Sequence, residues 1–433
     1  MDKFALLTFG CRCNQADSAA IRESLYRCSM QESEIHGDAD FIIVNTCTVT
    51  QRTDKQVRQA VRRLHRENPD ARLVLTGCYA ERDPDTLAAM LGVSLVVGNA
   101  DKKRLPELIE QDSTFSQGKI IRSPLEEEHD FVLPPMTLTG GKTRPLVKLQ
   151  DGCDARCSYC IVPKVRGPGR SARPENVLSE IQSLVDHGFQ EIVLAGINLG
   201  AFGRKAKPHP HLVDLLHRIV EIPGLGRIRL SSIEPMHFDR EIVRLAAAHQ
   251  VIAQHFHIPL QSGSDRILRR MRRPYTTARF RELLQYIKSS LPDVGLGSDV
   301  LVGFPGETDQ DFEETCALVE ALPLTYLHIF PFSPREGTEA WSLPDRIPSH
   351  VMKRRLDTAL ELSRSKNLSF RRSYIGKVLP ALTLAKEEDL GTFLVLTSNF
   401  IHARVSGISM PPNRLVDVRI EDVRHDVTLA TLQ

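Results

Sequence analysis

The chain has 433 residues, about three times the roughly 150 of a typical domain, so several domains are expected and core burial is no obstacle. Its 56 Lys+Arg against 54 Asp+Glu leave a net charge of +2, which excludes a uniformly basic nucleic-acid coat and an acidic solvating chain; charged partners must be held by local patches. With 41% hydrophobic and 25% charged residues the composition is that of an ordinary globular protein, and no apolar run approaches the roughly 18 residues needed to span a bilayer.

Residues 4–9 are apolar but too short for a secretory core, so export is set aside and a cytoplasmic location is expected. Over residues 1–122, β-rich runs at 4–9, 41–44, 73–75 and 95–97 alternate with helical stretches, which predicts an α/β domain with a parallel sheet. Residues 123–144 mix Pro124, the acidic run Glu126-Glu127-Glu128, Pro134-Pro135 and Gly140-Gly141, a composition of breakers and charge that reads as a linker. From 145 to 373, strand candidates at 146–149, 191–194, 227–230, 256–260, 296–302 and 326–330 alternate with helices and predict a partial (β/α)6 barrel. Residues 374–433 read as five short strands at 378–384, 393–397, 403–405, 415–420 and 427–429. They suit a small β-barrel, either one that grips nucleic acid or a structural cap.

Nine cysteines, clustered and odd in number, argue for metal ligation over disulfides in a long cytoplasmic chain. Cys153, Cys157 and Cys160 follow the first barrel strand on one loop. They supply three ligands where an electron-transfer cluster or structural zinc takes four, which leaves one metal position open; a zinc knuckle is the competing reading. In the first domain Cys11, Cys47 and Cys78 each follow a predicted strand, at the sheet edge where ligands of parallel sheets collect. Three convergent thiolates again point to a cluster with an open iron, against three unrelated buried cysteines. Cys13, Cys28 and Cys316 read as small core residues, although Cys13 lies two positions from Cys11.

The Cys-x3-Cys-x2-Cys loop at the top of a barrel resembles the radical S-adenosylmethionine (SAM) superfamily. Residues 145–335 resemble its methylthiotransferase branch through Cys160-Ile161-Val162-Pro163, Arg166-Gly167, Ala195-Gly196-Ile197-Asn198, Ser231-Ser232-Ile233-Glu234-Pro235, Pro259-Leu260-Gln261-Ser262-Gly263-Ser264 and Gly303-Phe304-Pro305-Gly306-Glu307-Thr308. The first-domain segments Gly10-Cys11-Arg12-Cys13-Asn14-Gln15, Asn45-Thr46-Cys47-Thr48 and Thr76-Gly77-Cys78-Tyr79 resemble the same branch, and Thr397 to Val405 resembles the TRAM domain. The resemblance implies two 4Fe-4S clusters, with Gly196, Asn198, Glu234, Gln261 and Ser262 lining the SAM pocket and no catalytic residue assigned beyond the cluster cysteines. Turn and helix-entry roles are the alternatives for these positions. It further implies a tRNA substrate, SAM as both radical source and methyl donor, and an electron-donor protein such as flavodoxin or ferredoxin. The C2–H bond of adenine is neither acidic nor attached to a leaving group, so its replacement by sulfur requires the radical that SAM supplies.

Asn14-Gln15 after the first cysteine resembles the subfamily that acts on N6-threonylcarbamoyladenosine at tRNA position 37 and makes its 2-methylthio derivative. Relatives acting on isopentenyladenosine or on a ribosomal-protein aspartate are the alternatives, and a non-catalytic metal-binding RNA-binding protein is the alternative from another class. Arg52, Lys55, Arg58, Arg62 and Arg63 recur at helical spacing, and Arg269, Arg270, Arg272 and Arg273 form a second basic run. Both fit an RNA partner or a solvated face.

Overall fold

The computed structural model describes residues 2–110, 118–125, 143–204, 211–386, 392–406 and 410–433. Most of the linker expected at 123–144 lies outside the described residues; at its start, the Ser123 amide and hydroxyl donate to Asp101 at 2.7 and 2.9 Å.

Strands β1 (Lys3–Thr8), β2 (Gln31–Glu32), β3 (Phe41–Thr46), β4 (Arg72–Gly77), β5 (Val93–Val97) and β6 (Lys119–Ile121) form one parallel sheet in the order β2-β1-β3-β4-β5-β6. Successive side chains point to opposite faces, and both faces are covered. Ala5, Ile42, Val44, Leu73 and Leu75 pack under Val57, Val61 and Leu64 of helix Gln51–Glu67. Phe4, Ile43, Val74 and Leu95 pack under Ile21 and Leu25 of helix Arg12–Arg27 and Leu105 and Ile109 of helix Leu105–Glu110. Burial on both sides is why these strands read as unbroken apolar runs rather than alternating ones. Each buried Val, Leu or Ile contributes about 1.5–3 kcal/mol to holding the layers together.

The second unit holds β7 (Leu146–Asp151), β8 (Arg170–Ser171), β9 (Glu191–Gly196), β10 (Arg227–Leu230), β11 (His255–His257), β12 (Gly295–Val302) and β13 (Tyr326–Pro331). They form two curved sheets, β10-β9-β7-β8 and β11-β12-β13, joined by the parallel bridge Ile228–Ile252. Only β8 runs antiparallel to its neighbour, and the remaining six strands make the expected partial barrel. Here the strands alternate. Val147, Leu149, Ile192, Leu194, Ile228, Phe256, Leu296, Val300 and Leu327 join the core under the outer helices. The intervening positions, which include Lys148, Gln150, Glu191, Arg229, His255, His257, Asp299, Tyr326 and His328, therefore face the barrel lumen. The expected strand at 256–260 ends at His257, two residues before Pro259, which has no N–H for a ladder.

The tail is a closed barrel, β14-β15-β16-β18-β17, built from β14 (Val378–Lys386), β15 (Thr392–Thr397), β16 (His402–Ser406), β17 (Leu415–Val423) and β18 (Thr428–Leu432). Its core is Leu379, Ala381, Phe393, Val395, Val405, Val418, Ile420 and Ala430. The β15–β16 turn plugs the amino-terminal end of the larger barrel. Arg229 donates to the carbonyls of Thr397 and Ser398 at 3.1 Å each, and the Phe400 ring stacks on His255 with centroids 4.1 Å apart. Much of the turn that resembles a nucleic-acid grip is thus spent on docking within the chain.

Candidate functional site

Three strands that are neighbours in the first sheet, β1, β3 and β4, deliver Cys11, Cys47 and Cys78 to one edge. Close approach demands glycine beside two of them. Gly10 has φ +98°, and a Cβ there would lie 2.6 Å from Cys47 Sγ; Gly77 has φ +97°, and a Cβ there would lie 2.4 Å from the Thr46 carbonyl. The thiols sense one another. Burial pushes Cys47 up to about 12, with Cys78 and Cys11 adding to the rise. Cys11, exposed at the sheet edge, falls to about 5, chiefly because the Cys13 thiol hydrogen-bonds it, with Arg166 assisting. Cys13 is therefore a buried residue beneath Cys11. Cys28, expected in the core, is exposed, because helix Arg12–Arg27 ends one residue earlier and Ser29 turns the chain away at φ 60°. Cys316 is half-buried on helix Asp309–Ala321.

The second triad sits on the loop after β7. Gly152 at φ +69° lets the loop turn against Pro168, whose carbonyl would be 1.9 Å from a Cβ there. Gln150 holds the turn: its amide donates to the carbonyls of Asp151 and Gly152 at 2.9 and 2.8 Å, and its oxygen accepts from the Asn198 amide at 2.8 Å. Burial pushes Cys160 up to about 12, with Cys157 and Cys153 contributing, so these thiols also converge. All nine cysteines are free. Each triad, three mutually close thiols with no fourth cysteine beside them among the described residues except the hydrogen-bonded Cys13, fits a 4Fe-4S cluster with one open iron.

A cavity of about 400 Å³ opens beside Cys153 and Cys157, lined also by Asn198, Met236, His237 and Arg204. Of the expected SAM residues, Asn198 lines it, its side-chain oxygen 3.1 Å from His237 Nδ1. Gly196 lies beneath, against Gln150 and Leu199. Glu234 is ion-paired to Arg273, which also donates to Cys157 Sγ at 3.2 Å. Gln261 takes φ 69° and bridges to Val300. Ser262 is buried and accepts from the Ser264 amide at 3.2 Å. Sequence reasoning missed Met236 and His237, whose signal was their position just after the Glu234-Pro235 turn. It also placed Arg273 in a surface basic run, whereas this side chain is buried against Cys157. Burial, with Arg204 and Arg273 nearby, holds His237 down at about 4.

A buried ion network joins the two units. Arg166, 2% exposed, donates to Asp151 at 2.7 Å, to Asp17 at 2.9 Å and to Asn14. Lys148 pairs with Asp17 and Asp151, and Lys102 with Asp17 at 2.8 Å. With Arg170 also 3.6 Å from Asp151, four cations against two carboxylates leave a net positive charge beside Cys11 and Cys78, which suits a centre that carries thiolate charge.

The lumen floor is a second network, Glu191 with Arg144, Arg227 and Arg229. Arg12, next to Cys11, lies near Tyr326 and within reach of the charges of Arg229 and Glu191, and makes no hydrogen bond or ion pair among the described residues. Above the floor, Asp299 on β12 stands between His257 and His328, 3.1 and 3.2 Å from their ring nitrogens. Sequence reasoning did not single out these lumen residues; the signal that could have found several of them is the polar–apolar alternation in Arg227-Ile228-Arg229-Leu230, His255-Phe256-His257 and Tyr326-Leu327-His328.

A family model described as the radical SAM superfamily matches residues 147–319, and one described as uncharacterized protein family UPF0004 matches residues 3–98. Barrel, cysteine loop and adjoining cavity together define a radical SAM enzyme. The threonylcarbamoyladenosine tRNA methylthiotransferase MtaB of Bacillus subtilis (strain 168) is 35% identical over 428 residues, covering 97% of this chain and 94% of the relative. The tRNA-2-methylthio-N(6)-dimethylallyladenosine synthase of Moorella thermoacetica is 33% identical over 386 residues, covering 88% and 86%. The chain belongs to the radical SAM tRNA methylthiotransferase family, whose cofactors are two 4Fe-4S clusters and SAM. Among solved structures, the radical SAM methyltransferase TsrM from Kitasatospora setae, with cobalamin and a 4Fe-4S cluster bound, shares the fold at TM-score 0.56 and 18% identity, over 79% of this chain and 77% of that one. No helix among the described residues is long and apolar enough to cross a membrane.

Proposed function

We propose that this enzyme converts N6-threonylcarbamoyladenosine at position 37 of tRNA to its 2-methylthio derivative. Cys153, Cys157 and Cys160 hold the cluster that binds SAM, and Cys11, Cys47 and Cys78 hold the cluster that provides sulfur. Bound together, these groups supply a radical, a sulfur atom and a methyl group; a flavodoxin or ferredoxin of the cytoplasm supplies electrons. The chain's own residues position and select. Gln150 and Asn198 fix the SAM-side loop, Arg273 neutralises Glu234 beside Cys157, and Arg166 locks the two cysteine triads into one frame.

The observation that carries the choice of nucleoside is the polarity of the lumen. Arg12, His257, Asp299 and His328 offer a cation and hydrogen-bonding groups. A threonylcarbamoyl group brings a carboxylate to pair with Arg12 and a hydroxyl for the His–Asp–His trio, whereas an isopentenyl group would leave the Arg12 guanidinium unpaired, at a cost of at least about 1–3 kcal/mol. Relatives named for each substrate are similar at 35% and 33% identity, so overall identity does not discriminate. The test presents purified enzyme, SAM and reductant with tRNA carrying one or the other nucleoside. Methylthiolation of the threonylcarbamoyl tRNA alone is expected; modification of the isopentenyl tRNA alone overturns the substrate assignment and leaves the radical chemistry standing.

A further inference from the structure

The lumen wall carries a constellation that neither cluster uses. His257, Asp299 and His328 lie on three adjacent strands, β11, β12 and β13, with Asp299 and His328 directly opposite in the ladder. One ligand atom from each, His257 Nε2, a carboxylate oxygen of Asp299 and His328 Nδ1, converge so that all lie within 4.8 Å of one another. We propose that these three side chains bind one divalent first-row cation, of the Zn2+, Mn2+ or Fe2+ class, whose open positions face the lumen.

Four features support a metal site over a plain hydrogen-bonded trio. First, the donor set, two imidazoles and one carboxylate, is the kind that takes such cations and leaves positions open. Second, His257 is 7% exposed, and its Nε2 lies 3.1 Å from Asp299 without the alignment of a hydrogen bond, so a buried nitrogen faces the common point with its bonding direction unsatisfied. Third, the opposite nitrogen, His257 Nδ1, is 2.8 Å from Ser232 Oγ, the arrangement by which an outer hydroxyl fixes the tautomer and orientation of a ligating imidazole. Fourth, the His328 ring stacks on His257 with centroids 5.1 Å apart while its own side chain stays 55% exposed, so the site opens to the lumen and is not sealed in the core. Among the lumen cations, Arg227 and Arg229 are engaged by Glu191.

Oxygen donors entering the lumen would complete such a site. On the substrate reading above, on which this part rests, they are the carboxylate and hydroxyl of the threonylcarbamoyl group.

The test uses holoenzyme with both clusters in the oxidised, paramagnetically silent state, titrated with Mn2+ and followed by electron paramagnetic resonance. One Mn2+ bound per chain and displaced by Zn2+ is expected. Asp299→Asn and His328→Ala should abolish binding, and Ser232→Ala should weaken it by about tenfold or more, with iron and sulfide content unchanged in all three. Failure to retain either metal, or equal retention by Asp299→Asn and His328→Ala, overturns the site. Adding a threonylcarbamoyl-bearing anticodon stem-loop should alter the Mn2+ signal, and the isopentenyl stem-loop should not. An unaltered signal in enzyme that does modify the threonylcarbamoyl tRNA overturns the substrate role of the metal. Enzyme that modifies only isopentenyl tRNA overturns the substrate reading instead, and the titration still decides the metal site.

Discussion

At the scale of single residues, the clusters depend on backbone shape as much as on sulfur. The peptide before Cys78 must pass so close to β3 that position 77 has room for hydrogen alone, and the positive φ puts an L side chain in a strained conformation as well. Gly77→Ala should therefore displace Cys78 from Cys11 and Cys47, adding strain of at least about 1–3 kcal/mol. The damage should stay local, because Cys153, Cys157 and Cys160 take their geometry from Gly152 and Gln150. After anaerobic reconstitution the variant should hold roughly half the iron and sulfide of the parent. It should still cleave SAM but transfer no sulfur. A full complement of iron with normal transfer would show that the peptide can shift away from Thr46.

At the scale of elements, the two barrels meet on charge and on one aromatic turn. Burial pushes the Glu191 carboxyl up, but Arg229, Arg227 and Arg144 outweigh it and hold the group below its ordinary value. A carboxylate depressed in the folded state contributes stability that is fully present above its unfolded pKa of about 4.3, and loses it as pH falls below that value. Glu191→Gln should cost about 3–5 kcal/mol at pH 7, since it leaves three arginines facing one another. The gap from wild type should narrow between about pH 4.5 and pH 3 by at most about 1.4 kcal/mol per pH unit. Urea unfolding of cluster-free protein across that range measures it, and a gap independent of pH would mean that Glu191 is not charged in the fold. This network shows where reading the sequence stopped. The strands themselves were legible, since the first sheet's continuous apolar runs and the tail's short β-rich segments are local patterns. Strands β2, β6 and β8 were not, being two or three residues long and carrying no period to detect. The placement of the cysteines was legible too, because Cys11, Cys47 and Cys78 each follow a different strand and Cys153, Cys157 and Cys160 share the loop after one. The partnership of Arg166 with Asn14 and Asp17 was not, because about 150 residues of chain separate them and only the docking of helix Arg12–Arg27 across β7 and β9 brings them together. The basic run ending at Arg273 misled because composition cannot tell an exposed arginine from one turned inward to Cys157.

At the scale of the whole molecule, a near-neutral chain must still attract a polyanion, and the structure divides that task unevenly. The tail barrel uses its β15–β16 turn to close the larger barrel, so deleting it would expose the lumen floor as well as remove any RNA contacts it makes, and a truncated protein could not separate the two effects. The helix Gln51–Glu67 has no such double role. Its apolar stripe of Val57, Val61 and Leu64 is buried, while Arg52, Lys55 and Arg62 are exposed and form no ion pair among the described residues. It also begins four residues after Cys47, which ties this basic face to the edge of the sheet that carries the first cysteine triad. On the proposed function, those three side chains are the ones expected to hold phosphates. Replacing all three by Gln should weaken tRNA binding and reduce the slope of log K against log salt by about 2–3, since each phosphate contact contributes roughly 0.7–0.9. Because none of the three touches a cysteine, iron content and SAM cleavage without tRNA should stay at parental values. Binding measured between about 50 and 200 mM salt decides the matter: an unchanged slope would assign the helix face to solvent and move the phosphate contacts elsewhere on the molecule.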